Sequence, residues 1–259
     1  MNYDEELELA KHATIEAGKL AMKYFNEGFK VETKKDKSFV TIADRECEKL
    51  IRKMISEKYP DDMIVGEEHE DEGESARKWI IDPVDGTEFF VRKEKKFFIL
   101  ISLEVDEEVV AGVVHMPALD IIAYASKGSG AFINKKRVHV SDVDKLENAN
   151  VTFRYRERFE KEKKMGIIKS VSKIVKMKDI EHDNNYLDIA SGNVDAVINP
   201  GGEEWDLAAF KIIIEEAGGK LSDFSGKDTI YSKNCVITNG KIHQQIIDAM
   251  NMSDGGCKK

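Results

Sequence analysis

The chain has 259 residues, 41% of them hydrophobic and 34% charged, with 40 Lys and Arg set against 49 Asp and Glu for a formal net charge of -9. That length can bury a substantial core, in one large domain or two small ones. The acidic balance leaves no basic footprint for a nucleic acid polymer, and no apolar run approaches the length of a membrane span.

The opening segment MNYDEELELAKHA is acidic and amphipathic rather than basic and then apolar, so no secretory leader is expected. Leu7, Ala10, Ala13, Ala17, Leu20, Ala21 and Tyr24 recur at helical spacing, which predicts a helix from Asp4 to Phe25 stopped at Gly28. A Lys-rich loop, KKDKSFVTIADRE, leads into a second helix with Ala43, Cys47, Leu50, Ile51, Met54 and Ile55 on one face and Thr41 and Asp44 at its start, where both residue types cap. Met63 to Val65 is a short apolar strand that runs into Gly66-Glu67-Glu68, followed by the acidic loop HEDEGES. Trp79 to Ile81 predicts a buried strand with Asp82 at its tip. Pro83 stiffens the exit, and a turn through Gly86 brings Asp85 back beside Asp82.

From Phe97 to Val140 the segments FFILISLEV, EEVVAGVVHMP, LDIIAYASK, AFIN and KRVHVS predict an antiparallel meander. VDKLENANV reads as a crossing segment, with a domain boundary near Leu146. The second half alternates helix and strand. A charged helix lies within Phe159 to Val175, and Val194 to Ile198 forms a strand. Trp205-Asp206 opens a helix with Ala208, Ala209, Ile212, Ile213 and Ala217 buried, stopped by Gly218-Gly219. Strands at Lys220 to Ser222 and Cys235 to Thr238, a last helix from Ile242 to Met250 and a disordered tail over 253–259 complete the chain. Cys47, Cys235 and Cys257 are odd in number and widely spaced, which suits reduced thiols in a cytoplasmic protein. The order predicts a layered α/β (α+β) architecture. Residues 1–146 form a half with a helix pair and a large, mostly antiparallel sheet, and 147–252 form a smaller α/β half.

The carboxylates that strand tips and helix starts deliver are Glu67, Asp82, Asp85 and Asp206. Two close carboxylates repel and need a cation, although D-x-x-D alone also suits solvated aspartates in an ordinary turn. An all-oxygen set without His or Cys implies a hard metal, Mg²⁺ before Mn²⁺ or Ca²⁺ and not Zn²⁺. Metals bridged by Asp82 would polarise a phosphate oxygen, acidify a bound water and stabilise a leaving alkoxide, which is the division of labour of phosphoester hydrolysis. Thr87 could orient the attacking water with Asp44 behind it as acceptor, and the amides of Asp85, Gly86 and Thr87 suit an anion.

GEE at Gly66 to Glu68, WIIDPVDGT at Trp79 to Thr87 and WDLAAFKIIIEEAGG at Trp205 to Gly219 resemble the three motifs of the inositol monophosphatase family, in the same order and at similar spacing. SFVTIADRECEKLI, Ser38 to Ile51, resembles that family's loop and helix ahead of the first motif, so the similarity covers nearly the whole chain. The resemblance implies a first Mg²⁺ on Glu67, Asp82 and the Val84 carbonyl, a second on Asp82, Asp85 and Asp206, and a loosely held third near Glu67. It implies Thr87 with Asp44 as the water-activating pair and the amides of Asp85, Gly86 and Thr87 as the phosphate cradle. Alternating helix and sheet layers, lithium sensitivity and a homodimer acting on a small phosphate ester are implied in the same way.

The match thins where substrate is chosen. Asn199 stands where inositol-cleaving members carry a Glu that grips sugar hydroxyls, and His182, Asp183 and Asn184 replace a small-residue segment. FRYRERF brings Arg154, Arg156 and Arg158. Arginines spaced by two on a strand share a face and could receive a second phosphate, or they are solvated charges on an edge strand. Asp-Gly-Thr followed by Glu88-Phe89-Phe90 resembles histidinol-phosphate and nucleotide-bisphosphate members as much as inositol ones. The expected activity is therefore Mg²⁺-dependent hydrolysis of a small phosphate monoester. The alternatives are 3′(2′),5′-bisphosphate nucleotidase, fructose-1,6-bisphosphatase or histidinol-phosphatase activity, and an inactive metal-binding regulatory homologue, against which the complete acidic set argues.

Overall fold

The computed structural model of the protein describes residues 2–33, 39–180 and 186–252. The Lys-rich stretch 34–38, His182 and the tail 253–259 with Cys257 lie outside the described residues. The chain divides into two compact units, Met1–Arg137 with Ala208–Ile213, and Val138–Leu207 with Ile214–Lys259.

The first unit begins with α1 (Asp4–Glu27), β1 (Val31–Thr33), β2 (Phe39–Thr41) and α2 (Ile42–Lys58). The stop expected at Gly28 is made by its N–H, which donates to Tyr24 O at 2.9 Å, with φ at 97°. Then follow β3 (Met63–Gly66), β4 (Arg77–Asp85), α3 (Thr87–Val91), β5 (Phe98–Val105), β6 (Glu108–Met116), β7 (Ile121–Ser126), β8 (Gly130–Ile133) and β9 (Lys136–Val138). β3 to β9 form one sheet in sequence order, with β3 parallel to β4 and every pair from β4 to β8 antiparallel. β4, β5 and β6 are buried almost without a break because both faces of the sheet are covered. Trp79, Ile81, Ile99, Ile101 and Val113 join Ala10, Ala13, Ala17, Cys47, Ile51 and Ile55 of α1 and α2 in one core. Each fully buried Val or Ile side chain there contributes about 1.5–3 kcal/mol.

In the second unit come β10 (Asn150–Phe153), α4 (Arg156–Lys161), α5 (Met165–Val171), β11 (Met177–Ile180), α6 (Leu187–Ala190), β12 (Ala196–Asn199), α7 (Glu204–Glu216), β13 (Lys220–Ser222), β14 (Cys235–Thr238) and α8 (His243–Asn251). The sheet order is β11-β10-β12-β14-β13, with β10 parallel to both neighbours and β14 antiparallel to both of its own. α7 is shared, since its centre, Ala208–Ile213, belongs to the first unit. The helix and strand layers match the predicted α/β class.

His243 opens α8 inside the second unit. Its Nε2 meets Ser222 Oγ at 2.9 Å and its Nδ1 meets Thr238 Oγ1 at 3.0 Å. Burial, helped by the charge of Lys220, holds its pKa down to about 4. The unfolded chain takes up a proton near pH 6.5 and the folded protein resists until about pH 4, so this histidine stabilises the fold above pH 6.5 and loses that contribution as pH falls to about 4. The melting-temperature advantage of wild type over His243→Gln is expected to shrink steadily between those pH values. A difference that stays constant would contradict the assignment.

Candidate active site

The predicted strand end at Asp82 is not where β4 stops. The strand continues to Asp85, and Asp82 pairs with Leu100 while Asp85 pairs with Phe98. Pro83 and Val84 therefore face Ile99 alone, which is a β-bulge with one extra residue on β4. Pro83 has no N–H to donate and fits where the ladder is already broken. The bulge decides which face of the sheet the two carboxylates take. Residues three apart on a regular strand point to opposite faces, but the extra residue resets the alternation. Leu100 and Phe98 are two apart and share a face, so Asp82 and Asp85 share it too.

That face is the one opposite α1 and α2. The Phe98 ring meets Phe210 of α7 edge-on at 5.9 Å, and Ala209 and Ile212 lie against Gly112. Asp206 stands in the first turn of the same helix, and its Oδ2 accepts the Glu203 N–H at 2.7 Å. Asp82 is held in a similar way, with Oδ1 accepting the Val84 N–H at 3.1 Å, and only 1% of the residue is exposed. Asp82, Asp85 and Asp206 form an acidic group that could hold a metal ion. The donor set is carboxylate oxygen throughout, which fits a hard divalent cation.

Gly86 follows with φ at 84°, the left-handed region, and a Cβ there would lie 3.0 Å from Lys96 O. It turns the chain into α3, which starts at Thr87. The Thr87 hydroxyl lies 3.0 Å from Asp44 Oδ1 and 3.1 Å from the Val84 carbonyl, and its single proton serves one of them at a time. Asp44 Oδ2 accepts the Thr41 N–H at 2.8 Å and the Thr41 hydroxyl at 2.5 Å, while Thr41 Oγ1 accepts from Ala43. Capping and orientation are thus divided between the two oxygens of one carboxylate. Burial pushes the Asp44 pKa up, and the hydrogen bonds from Thr41 and Thr87 oppose that rise.

Glu67 leaves the sheet just past Gly66, which pairs with Ile81 on parallel β4, so Glu67 and Asp82 emerge at the same end of neighbouring strands. It is not a member of the acidic group above. Sequence reasoning missed two further buried polar residues here, Glu48 and Arg52. Their signal was spacing: with Asp44 they recur every four residues beside the apolar stripe of α2.

A model of the inositol monophosphatase family matches residues 2–253. The chain belongs to the inositol monophosphatase family. It is 36% identical over 245 residues to a fructose-1,6-bisphosphatase/inositol-1-monophosphatase of Thermotoga maritima, covering 90% of this chain and 91% of the relative. A histidinol-phosphatase of Chlorobaculum parvum is 33% identical over 258 residues, 95% and 96% of the two chains. Among solved structures, the Thermotoga maritima IMPase superposes with a TM-score of 0.84 at 34% identity, covering 96% of this chain and 98% of that one. These relatives are phosphoric monoester hydrolases by name, and the family places this chain among such enzymes.

Within this family member the residues expected to choose substrate are arranged differently from the sequence reading. β10 ends at Phe153, Tyr155 turns with φ at 54° and Arg156 begins α4, so Arg154 and Arg156 do not share a strand face. A left-handed residue between them breaks the alternation on which that expectation stood. Arg154 and Arg158 instead each lie 5.1 Å from the Tyr155 ring centre, and Arg154 lies 5.0 Å from that of Tyr186. Arg156 pairs with Glu160 at 3.2 Å on the exposed side of α4. Asn199 is buried on β12, donating to Tyr186 Oη at 2.6 Å and accepting from the Gly201 N–H at 3.0 Å.

Gly86→Ala is expected to destabilise the protein by about 1–2 kcal/mol through the left-handed backbone alone, with further loss from the Lys96 carbonyl contact. Urea denaturation checks it. An unchanged midpoint would mean the turn at Gly86 does not constrain the site.

Proposed function

We propose that this protein hydrolyses the phosphate monoester of a small soluble metabolite, with Mg²⁺ held by Asp82, Asp85 and Asp206 and with Glu67 and the Val84 carbonyl completing the coordination of two to three ions. The bulge that turns Asp82 and Asp85 to one face of a buried sheet carries this reading. Carboxylates gathered in that way repel unless a cation neutralises them, and their oxygens suit Mg²⁺. Bound there, Mg²⁺ would polarise the phosphate and acidify a water.

The remaining work belongs to the chain. Asp44 accepts the Thr87 hydroxyl proton, which leaves an Oγ1 lone pair to receive a proton from the attacking water and hold it in line. The amides of Asp85, Gly86 and Thr87 follow the bulge in succession and serve as the phosphate cradle. The shared family supports a homodimer with lithium sensitivity. The buried thiols of Cys47 and Cys235 support a reducing, cytoplasmic setting.

Phosphate release should be screened with and without Mg²⁺ over inositol monophosphate, histidinol phosphate, fructose 1,6-bisphosphate and adenosine 3′,5′-bisphosphate. Turnover is expected on at least one, dependent on Mg²⁺, falling to background in Asp85→Asn and by about 100-fold or more in kcat in Thr87→Val. Metal-dependent turnover that survives in Asp85→Asn would refute the site. A second reading, preference for a bisphosphate, is supported by the two guanidinium groups at Tyr155. For it, Arg154→Ala should raise KM for the bisphosphates and spare the monophosphates; equal effects on both would exclude it.

A further inference from the structure

We infer that Glu48 and Arg52 are positioning residues for Glu67, a buried ion pair that clamps the backbone on both sides of that carboxylate; the inference rests on the metal-dependent reading above. Glu48 is fully buried and Arg52 is 8% exposed, four residues apart on α2. Glu48 Oε1 accepts from Arg52 Nε at 2.7 Å, and its Oε2 accepts the Glu68 N–H at 2.8 Å. Arg52 in turn directs Nη1 at Ile64 O, 3.5 Å away, and Nη2 at His69 O, 3.4 Å away. The pair therefore touches the chain before Gly66, immediately after Glu67, and again at His69.

Gly66 makes the contact direct. A Cβ at that position would sit 2.3 Å from Glu48 Oε1 and 3.0 Å from Arg52 Nη2, so the ion pair lies flat against the strand end where a side chain would stand. His69 Nδ1 approaches the same Glu48 oxygen at 3.4 Å, and Glu72 lies 3.8 Å from Arg52 Nη1.

Stability is a poor reason for such a pair. Two charges taken out of water cost several kcal/mol each, and apolar replacements of similar volume are often neutral or stabilising. The pair sits one helical turn and two helical turns beyond Asp44, which holds the Thr87 hydroxyl. One stripe of α2 thus fixes both Thr87 and the backbone of Glu67. A rigid helix between them would set their separation.

The test measures Mg²⁺ binding by calorimetry on the full chain without substrate, and needs no turnover. The double replacement Glu48→Met with Arg52→Met keeps volume and removes both charges. It is expected to melt at or above the wild-type temperature while binding Mg²⁺ about 10–100-fold more weakly, the usual cost of removing a partner that orients a ligand. Added to Glu67→Gln, the same replacement should cause no further loss, because the ligand it positions is already gone. Wild-type Mg²⁺ affinity in the double-methionine variant, or losses that add fully to those of Glu67→Gln, would overturn the inference while leaving the metal centre standing. A wild-type protein that binds no Mg²⁺ would remove the metal reading and this inference with it. Should the double-methionine variant fail to fold, Gly66→Ala decides by the same readout. Its methyl group displaces the Glu48 carboxylate and should weaken Mg²⁺ binding, and unchanged binding would overturn the inference.

Discussion

One extra residue in β4 controls the geometry on which the candidate site depends. Pro83 and Val84 stand against Ile99 alone, and that single mismatch turns Asp82 and Asp85 to the same face of a sheet buried on both sides. Neither carboxylate would gather there for packing reasons, since burying a charge is costly unless it is compensated. The arrangement suits a cation, and the chain belongs to a family of phosphatases.

A second constraint runs along α2. Its apolar stripe of Cys47, Ile51 and Ile55 anchors the helix in the first core, while the adjacent stripe of Asp44, Glu48 and Arg52 is polar and equally buried. Asp44 divides its two oxygens between the start of its own helix and Thr87. Asp82 and Asp206 each commit one oxygen to a nearby backbone amide. Carboxylates restrained in this way lose little freedom when a ligand arrives, which is how a site is preorganised.

Most of the fold was legible because its elements have strong patterns. Apolar recurrence marked α1, α2 and α7, and long apolar runs marked β5 to β7. Asp44 was legible as a cap, and capping is indeed half of what it does. The bulge was only half legible: Pro83 in IIDPVD marks a break in the ladder, but a proline suits a strand end as well as a bulge, and only the pairing with β5 shows that the strand goes on to Asp85. Tyr155 misled because an aromatic residue rarely takes a positive φ, so FRYRERF read as continuous strand. Glu48 and Arg52 escaped notice because charged residues on a helix ordinarily face water, and only tertiary packing reveals that these do not.

The acidic group is tested most directly by anomalous diffraction from crystals soaked in Mn²⁺, which takes the same oxygen ligands as Mg²⁺ and can be located by its scattering. Mn²⁺ peaks are expected at coordination distance from the carboxylate oxygens of Asp82, with Asp85 and Asp206 among the ligands. Well-ordered aspartates with no peak beside Asp82 at saturating Mn²⁺ would contradict the metal assignment.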